Sequence, residues 1–107
     1  MGYEFMRLIV MFDLPIQSNK QIRIYNKFRK FLISKGYIML QYSVYSKILN
    51  NRDTAIHHIE TVKNNCPVEG QIRMILLTEK QYSRMLIVIG GRSRSEDVIT
   101  IDPFIKL

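Results

Sequence analysis

The sequence predicts an α+β fold of the ferredoxin-like type, a split βαβ sandwich (βαββαβ) with an added C-terminal strand. Apolar segments typical of strands alternate with two segments of helical periodicity, in the order strand, helix, strand, strand, helix, strand. The 107 residues suffice for about one domain, and 47% hydrophobic content is typical of a folded chain. Because no repeat, linker or low-complexity segment interrupts the chain, residues 1–107 are interpreted as a single domain, with residues 90–107 as a tail.

The first strand and helix have clear local signals. Phe5–Phe12 is almost wholly apolar, as in a buried strand, and Asp13–Pro15 ends it. Ser18 followed by Gln21 fits a capping box, which predicts a helix beginning near Asn19 and running to position 35.

A strand pair and a second helix follow. Gly36 is placed to end the first helix, and Tyr37–Leu49 is rich in β-branched and aromatic residues. The polar interruption Gln41–Ser43 divides this segment into two short strands joined at a tight turn or bulge. Asn50–Asn51 then predicts the cap of a second helix over residues 52–64.

The remaining strands are predicted from composition. Cys66–Pro67 ends the second helix, and Gln71–Thr78 and Met85–Ile89 are interpreted as strands. Gly90–Gly91 ends the second of these, and Val98–Ile101 is a candidate edge strand in the tail.

The apolar pattern also predicts a partner. Right-handed crossovers place both helices on one face of the sheet, whereas the first strand and the last two are apolar on both faces. The uncovered face is therefore expected to bury itself against a second copy in a homodimer, with the tail pairing with the partner subunit. The alternative is that some strand residues tolerate exposure.

Charge indicates a phosphate-bearing ligand. Sixteen Lys and Arg against nine Asp and Glu give a net charge of +7. Residues 1–54 hold nine of the basic and three of the acidic residues, so this half carries +6 and the other half +1. A small domain this basic is attracted to nucleic acid or to an anionic membrane.

Several classes of protein are excluded by composition. The single cysteine, Cys66, cannot form an internal disulfide, and the adjacent His57–His58 do not have zinc-ligand spacing. The longest uncharged apolar run, Leu8–Phe12, is far shorter than a membrane span, and no signal peptide is recognised at the N-terminus. We therefore expect a soluble, cytoplasmic protein without a membrane partner.

A basic stripe is predicted on the first helix. At about 100° per residue, Lys20, Arg23, Lys27 and Lys30 fall within roughly 80° of arc, opposite a broad apolar arc. The segment from Leu14 to Arg52 contains no acidic residue, whereas solvated faces usually mix both signs. These four residues are candidates to bind nucleic-acid phosphates; the alternative is an ordinary solvated face.

Other basic residues are weaker candidates. Arg92 and Arg94 lie in the glycine- and serine-containing segment 90–95, which suits a phosphate oxygen or an ordinary basic turn equally well. Lys47, near the end of the third strand, is a candidate of the same kind. Arg29 falls within the apolar arc of the helix and is interpreted as snorkelling or paired across an interface, not as a site.

Asp13 is the most specific single candidate for a functional residue. Its carboxylate ends a buried strand, where function is often found. One aspartate supplies too few oxygen ligands for a hard divalent cation, but a two-fold axis could bring Asp13 and its mate together in one shared site. The alternative is that Asp13 caps the loop leading into the first helix.

Three segments resemble a known family. Met11–Pro15, Tyr25–Leu32 and Gly36–Lys47 are similar to the small CRISPR-associated adaptation protein that accompanies the CRISPR integrase, in its type II-like version. The similarity extends from about Phe5 to Ile89, and the Gln-Tyr-Ser-Val-Tyr segment after an Asp-ending strand is its most specific part.

This resemblance implies a ferredoxin-like homodimer that acts in spacer acquisition during antiviral defence. Such a dimer bridges two integrase dimers and holds duplex prespacer DNA during insertion into the CRISPR array. The resemblance also implies an alternative: an endonuclease, dependent on magnesium, that hydrolyses RNA or double-stranded DNA. Asp13 would then be the catalytic and metal-binding residue, with Mg²⁺ shared across the dimer. The family often has Tyr where this chain has Phe12. A third possibility, a ferredoxin-like RNA binder, would need exposed sheet aromatics.

Overall fold

The computed structural model describes residues 5–89 and has an α+β architecture with one sheet. Its elements are β1 (Met6–Asp13), α1 (Asn19–Ser34), β2 (Ile38–Gln41), β3 (Val44–Leu49), α2 (Arg52–Lys63), β4 (Gln71–Thr78) and α3 (Glu79–Tyr82). The first six follow the predicted order βαββαβ, each within a residue or two of its predicted bounds.

The four strands form one antiparallel sheet in the order β2-β3-β1-β4. In β1, Ile9 pairs with Ser46 of β3 on one side and with Ile75 of β4 on the other. The turn predicted between β2 and β3 is present: the register shifts between Met39 and Gln41, and Ser43 adopts a positive φ of 63°. This topology confirms the predicted ferredoxin-like fold.

The ends of both long helices follow from local chemistry. The Gln21 amide donates to Ser18 Oγ at 3.1 Å, and the Gln21 side chain accepts from the Ser18 amide at 3.1 Å, which completes a capping box. Gly36, at φ +92°, provides the left-handed residue after α1. The Asn51 side chain caps α2 by accepting from the Thr54 amide at 2.8 Å.

Both helices cover the same face of the sheet, as predicted. Alternate residues of β1 enter a core with α1 and α2, and that core consists of Leu8, Val10, Phe12, Leu14, Tyr25, Phe28, Leu32, Tyr37, Tyr45, Leu49, Ala55 and Val62. Burying this much apolar surface is the main stabilising contribution to the fold.

The opposite face of the sheet is largely apolar and partly exposed, although Ile9 on the inner strand β1 is only 5% exposed. Cross-strand partners in an antiparallel sheet share a face, so Ile9, Ile48 and Ile75 lie on the side away from the helices. Ile48 and Ile75 are 51% and 46% exposed, and Ile38 on β2 is 69% exposed. Within residues 5–89, this face is partly covered near Arg7, which donates to Glu79 at 2.7 and 2.9 Å and stacks on the Tyr82 ring.

The predicted strand at Met85–Ile89 is wrong for the chain described here. The residues of that segment are irregular, with a bend at the last two, form no strand pairing and are between 41% and 86% exposed. The short helix α3 precedes it and was not predicted, although Thr78 and Gln81 form a second capping box. This cap ends β4 and changes the direction of the chain. The apolar composition of Met85–Ile89 was therefore not sufficient to form a strand beside β4. The predicted tail 90–107, with its edge strand Val98–Ile101, lies outside the described residues. Within residues 5–89, no helix is both long and apolar enough to cross a bilayer.

Candidate nucleic-acid interface and Asp13 groove

The basic stripe on α1 has the geometry that the sequence predicts. Lys20, Arg23, Lys27 and Lys30 are all exposed, and α1 instead buries Tyr25, Phe28 and Leu32 against the sheet. The aromatic and leucine side chains hold the helix in place, so the stripe is presented on a rigid element.

The charge of the stripe is not neutralised locally. The ion pairs among the described residues join Arg7 to Glu79 and Lys63 to Glu60, and neither includes a residue of α1. The first turn of α1 contains no acidic residue. Uncompensated like charges on one helix repel each other slightly, so this pattern does not stabilise the helix and instead favours an anionic ligand.

Asp13 lies where the sequence predicts, exposed at the carboxyl end of β1. It pairs with Gln71 at the start of β4. A shallow groove surrounds it, bordered by the β2–β3 turn and the beginning of β4; its lining residues are Met11, Phe12, Asp13, Tyr42, Ser43, Val44, Gln71 and Arg73.

Backbone contacts fix the walls of this groove. The Phe12 amide donates to the Ser43 carbonyl at 3.0 Å, and the hydroxyls of Tyr25 and Ser43 lie 2.8 Å apart. Tyr25 also stacks on Tyr42 with 5.8 Å between ring centroids. On the other side, Gly70 lies so close to Asp13 that a Cβ there would come within 2.6 Å of the Asp13 carbonyl oxygen.

The structure does not support the alternative that Asp13 acts as a cap before α1. Ser18, not Asp13, caps α1, and no side-chain hydrogen bond to Asp13 occurs within residues 5–89. The carboxylate is therefore free to take a ligand from solvent.

A single chain does not provide a complete magnesium site. Within the described part of the chain, no three His, Cys, Asp or Glu side chains lie close enough together to hold a metal ion. Asp13 offers one carboxylate, whereas Mg²⁺ requires octahedral oxygen coordination. Asp13 fits a magnesium site only if a second copy of the chain contributes further ligands. No chemical step through a metal therefore follows from this chain alone.

Phe12 does not point toward the groove. Its ring packs on the helical side of the sheet, 5.5 Å from Tyr25, 5.1 Å from Phe28 and 5.8 Å from Tyr45 between centroids. The difference from the family pattern at this position therefore concerns the core, and a hydroxyl there would not face the Asp13 carboxylate.

Lys47 lies apart from the α1 stripe. It points to the helical side of the sheet, near Gly36 at the end of α1 and near His58 of α2. Burial, and then the charges of Lys47, His57 and Lys35, lower the pKa of His58. Arg92 and Arg94 lie outside the described residues.

Two residues of the Asp13 groove were not predicted from the sequence. Tyr42, which is 67% exposed, and Arg73 line its two sides. The Gln41–Ser43 turn was a signal for the first, but Arg73 is brought to the groove only by the pairing of β1 with β4. Arg29 is half-buried beside Tyr25 and Met39 and has no ion-pair partner among residues 5–89.

Comparison with known proteins gives a consistent result. Residues 6–85 match the family model described as CRISPR associated protein Cas2. Three relatives named "CRISPR-associated endoribonuclease Cas2" illustrate the similarity. The Streptococcus mutans protein is 46% identical over 90 residues, which cover 84% of this chain and 83% of the relative. The Acidovorax ebreus protein is 45% identical over 79% of this chain and 83% of its own length, and the Treponema denticola protein is 44% identical over 95% and 100%.

Proposed function

This chain belongs to the CRISPR-associated Cas2 family, and we propose that it serves in CRISPR adaptation as the subunit that holds duplex prespacer DNA. In this role a homodimer binds the DNA and bridges two integrase dimers during spacer acquisition. The observation that carries the proposal is the exposed stripe of Lys20, Arg23, Lys27 and Lys30, which has no acidic counterpart among the described residues. Contacts of this kind hold a phosphate backbone without reading its sequence.

The open face of the sheet supports the dimer. Ile38, Ile48 and Ile75 expose apolar side chains on the face opposite α1 and α2. Exposed apolar side chains of this kind are best buried against an identical face related by a two-fold axis. The same axis would place two Asp13 carboxylates in one assembly.

The experiment is the salt dependence of duplex binding. The triple variant Lys20→Gln, Arg23→Gln, Lys27→Gln removes three exposed charges from the stripe. A matched control, Lys63→Gln, Lys80→Gln, Arg84→Gln, removes the same net charge from exposed positions elsewhere. Each phosphate contact contributes about −0.9 to the slope of log K against log salt concentration, so the stripe variant should flatten the slope by about 2.7 for each subunit that contacts the duplex.

The control variant should retain most of the wild-type slope. Equal flattening in the two variants would show that net charge alone attracts the DNA and that the stripe is a solvated face. Sedimentation of both variants verifies that the oligomeric state is unchanged.

A second function is a magnesium-dependent endonuclease with Asp13 at a site shared by two chains. Two observations favour it: the Asp13 carboxylate is exposed without an intramolecular hydrogen bond within residues 5–89, and the relatives carry the name endoribonuclease. Mg²⁺ held there would supply charge stabilisation and water activation at a phosphodiester.

Cleavage of RNA and of duplex DNA with Mg²⁺ and with chelator tests this second function. Asp13→Asn should abolish cleavage that requires the metal, whereas Glu69→Gln, an exposed carboxyl on the nearby loop, should retain it. Cleavage that persists in Asp13→Asn would contradict a catalytic role for Asp13. Duplex binding without metal should be equal in all three proteins.

A further inference from the structure

A second group of basic side chains meets at the C-terminal end of α1. Lys35 is the residue that caps this helix, Lys47 lies on β3, and His58 lies on α2. Lys47 Nζ lies only 2.6 Å from where a Cβ on Gly36 would be, and both lysines act electrostatically on His58. Three elements distant in sequence therefore place three basic groups together.

No acidic group balances this cluster within the described residues. Neither lysine takes part in an ion pair among residues 5–89, and His58 is influenced only by basic neighbours. The negative end of the α1 dipole offsets part of this charge. The positive charge that remains on basic side chains from three separate elements, without an acidic counterpart, would attract an anion.

Tyr37 supports the His58 side of this cluster from the core. It is 3% exposed, belongs to the hydrophobic core, and its ring packs edge-on against His58 at 6.2 Å between centroids. Its enclosed hydroxyl has no hydrogen-bond partner within residues 5–89 and is not accessible to a duplex phosphate. The groups available to an anion are therefore the two lysines and His58.

We propose that Lys35, Lys47 and His58 form a second phosphate-binding site, which receives a backbone phosphate of the duplex beyond the end of the α1 stripe. This inference rests on the proposed function, because it assigns a further contact to the same DNA. With a rise of about 1.5 Å per residue, the distance along α1 from Lys20 to Lys35 is roughly 22 Å. At about 3.4 Å per base pair this is six to seven base pairs of duplex.

The site makes duplex binding dependent on pH through His58. Because burial and the neighbouring lysines lower the pKa of His58, its imidazole is neutral near pH 7.5 and gains its proton as the pH falls below its usual value of 6.5. The groups that face it are Lys35 from α1, Lys47 from β3, Tyr37 beside β2, and His57 on its own helix. The protonated form adds a third positive charge, so binding should strengthen toward about pH 6.

Salt titrations of duplex binding at about pH 7.5 and about pH 6 test the site. Lys35→Gln, Lys47→Gln should flatten the slope of log K against log salt concentration by about 1.8 for each contacting subunit at both values of pH. His58→Gln should leave the slope at pH 7.5 unchanged and remove the steepening, up to about 0.9 for each contacting subunit, that the wild type shows at pH 6. His57→Gln, on the exposed neighbour, should retain that steepening.

The outcomes separate this site from the proposed function. If the lysine double variant keeps the wild-type slope while the α1 stripe variant flattens it by about 2.7 for each contacting subunit, the second site is refuted and the function stands. If neither variant changes the slope, the proposed function fails together with the site. Equal loss of the acid steepening in His57→Gln and His58→Gln would refute the role of His58. Circular dichroism of each variant verifies that it is folded.

Discussion

Two glycines with nearly the same backbone conformation provide a matched test of how the Asp13 groove is held. Gly70 has φ +96° and Gly36 has φ +92°. A Cβ at Gly70 would lie 2.6 Å from the Asp13 carbonyl oxygen and 2.7 Å from Leu14 Cδ2, whereas a Cβ at Gly36 would meet Lys47 Nζ at 2.6 Å. The first neighbour is backbone held in the sheet; the second is the end of a flexible side chain.

The expected cost of Gly70→Ala follows from these contacts. Both alanine variants carry the penalty of a left-handed conformation, about 1–2 kcal/mol. Only Gly70→Ala adds a clash with backbone and a packed leucine, which overpacking data place at about 1–3 kcal/mol. For a domain of this size, each kcal/mol lowers the melting temperature by roughly 4–8 °C, so Gly70→Ala should melt about 4–24 °C below Gly36→Ala.

Thermal unfolding followed by circular dichroism, at one protein concentration for both variants, measures this difference. Because Gly70 contacts the Asp13 backbone, Gly70→Ala should also weaken any metal-dependent cleavage more than Gly36→Ala does. Equal melting temperatures would refute the reasoning, since they would show that the loop before β4 moves away from β1 at no cost.

Three further predictions concern single interactions. Ser18→Ala removes the cap of α1 and should lower the free energy of unfolding by about 1 kcal/mol in denaturant titration; an unchanged midpoint would contradict the capping role. Arg7 holds the pKa of Glu79 below its usual value near 4.5 through their hydrogen-bonded ion pair. This pair therefore stabilises the fold above that pH and loses its effect as the pH falls through the lowered pKa. Since the Glu79 side chain is 36% exposed, Glu79→Gln should cost at most about 1 kcal/mol at pH 7, and the gap to wild type should close as the pH falls through the lowered pKa of Glu79. A gap independent of pH would exclude the ion pair as its cause. Tyr25→Phe loses the hydrogen bond to Ser43 and should cost about 0.5–1.5 kcal/mol in thermal unfolding, with a looser β2–β3 turn seen as faster amide exchange; wild-type exchange rates would argue that stacking alone holds the turn.

The distribution of charge and apolar residues along the chain predicted much of the candidate site. The α1 stripe was predicted correctly because its position depends on helical periodicity and on the capping box at Ser18, both of which are local. Asp13 was placed correctly at the end of β1 because Pro15 and the apolar run before it define that boundary. These features require no knowledge of which elements are neighbours.

Features that depend on contacts between distant residues were missed or misplaced. The apolar segment Met85–Ile89 has strand composition, but the cap at Thr78 turns the chain before it, and no strand within residues 5–89 pairs with it. Lys47 stays a phosphate candidate, but its position on the helical side of the sheet, beside His58, is set by strand register. Lys47 and His58 are eleven positions apart and belong to different elements, so their proximity could not be predicted from the sequence.

The sequence by itself determined the order of the elements, the ends of the helices and the basic face of α1, since each depends on side chains within one or two turns of one another. Tertiary structure decided which groups meet: Asp13 with Tyr42 and Arg73 at one end of the sheet, and Lys35 with Lys47 and His58 at the other end of α1. Antiparallel pairing and helix packing bring these groups together from segments distant in the chain, and the energy of those contacts exists only once the fold has formed.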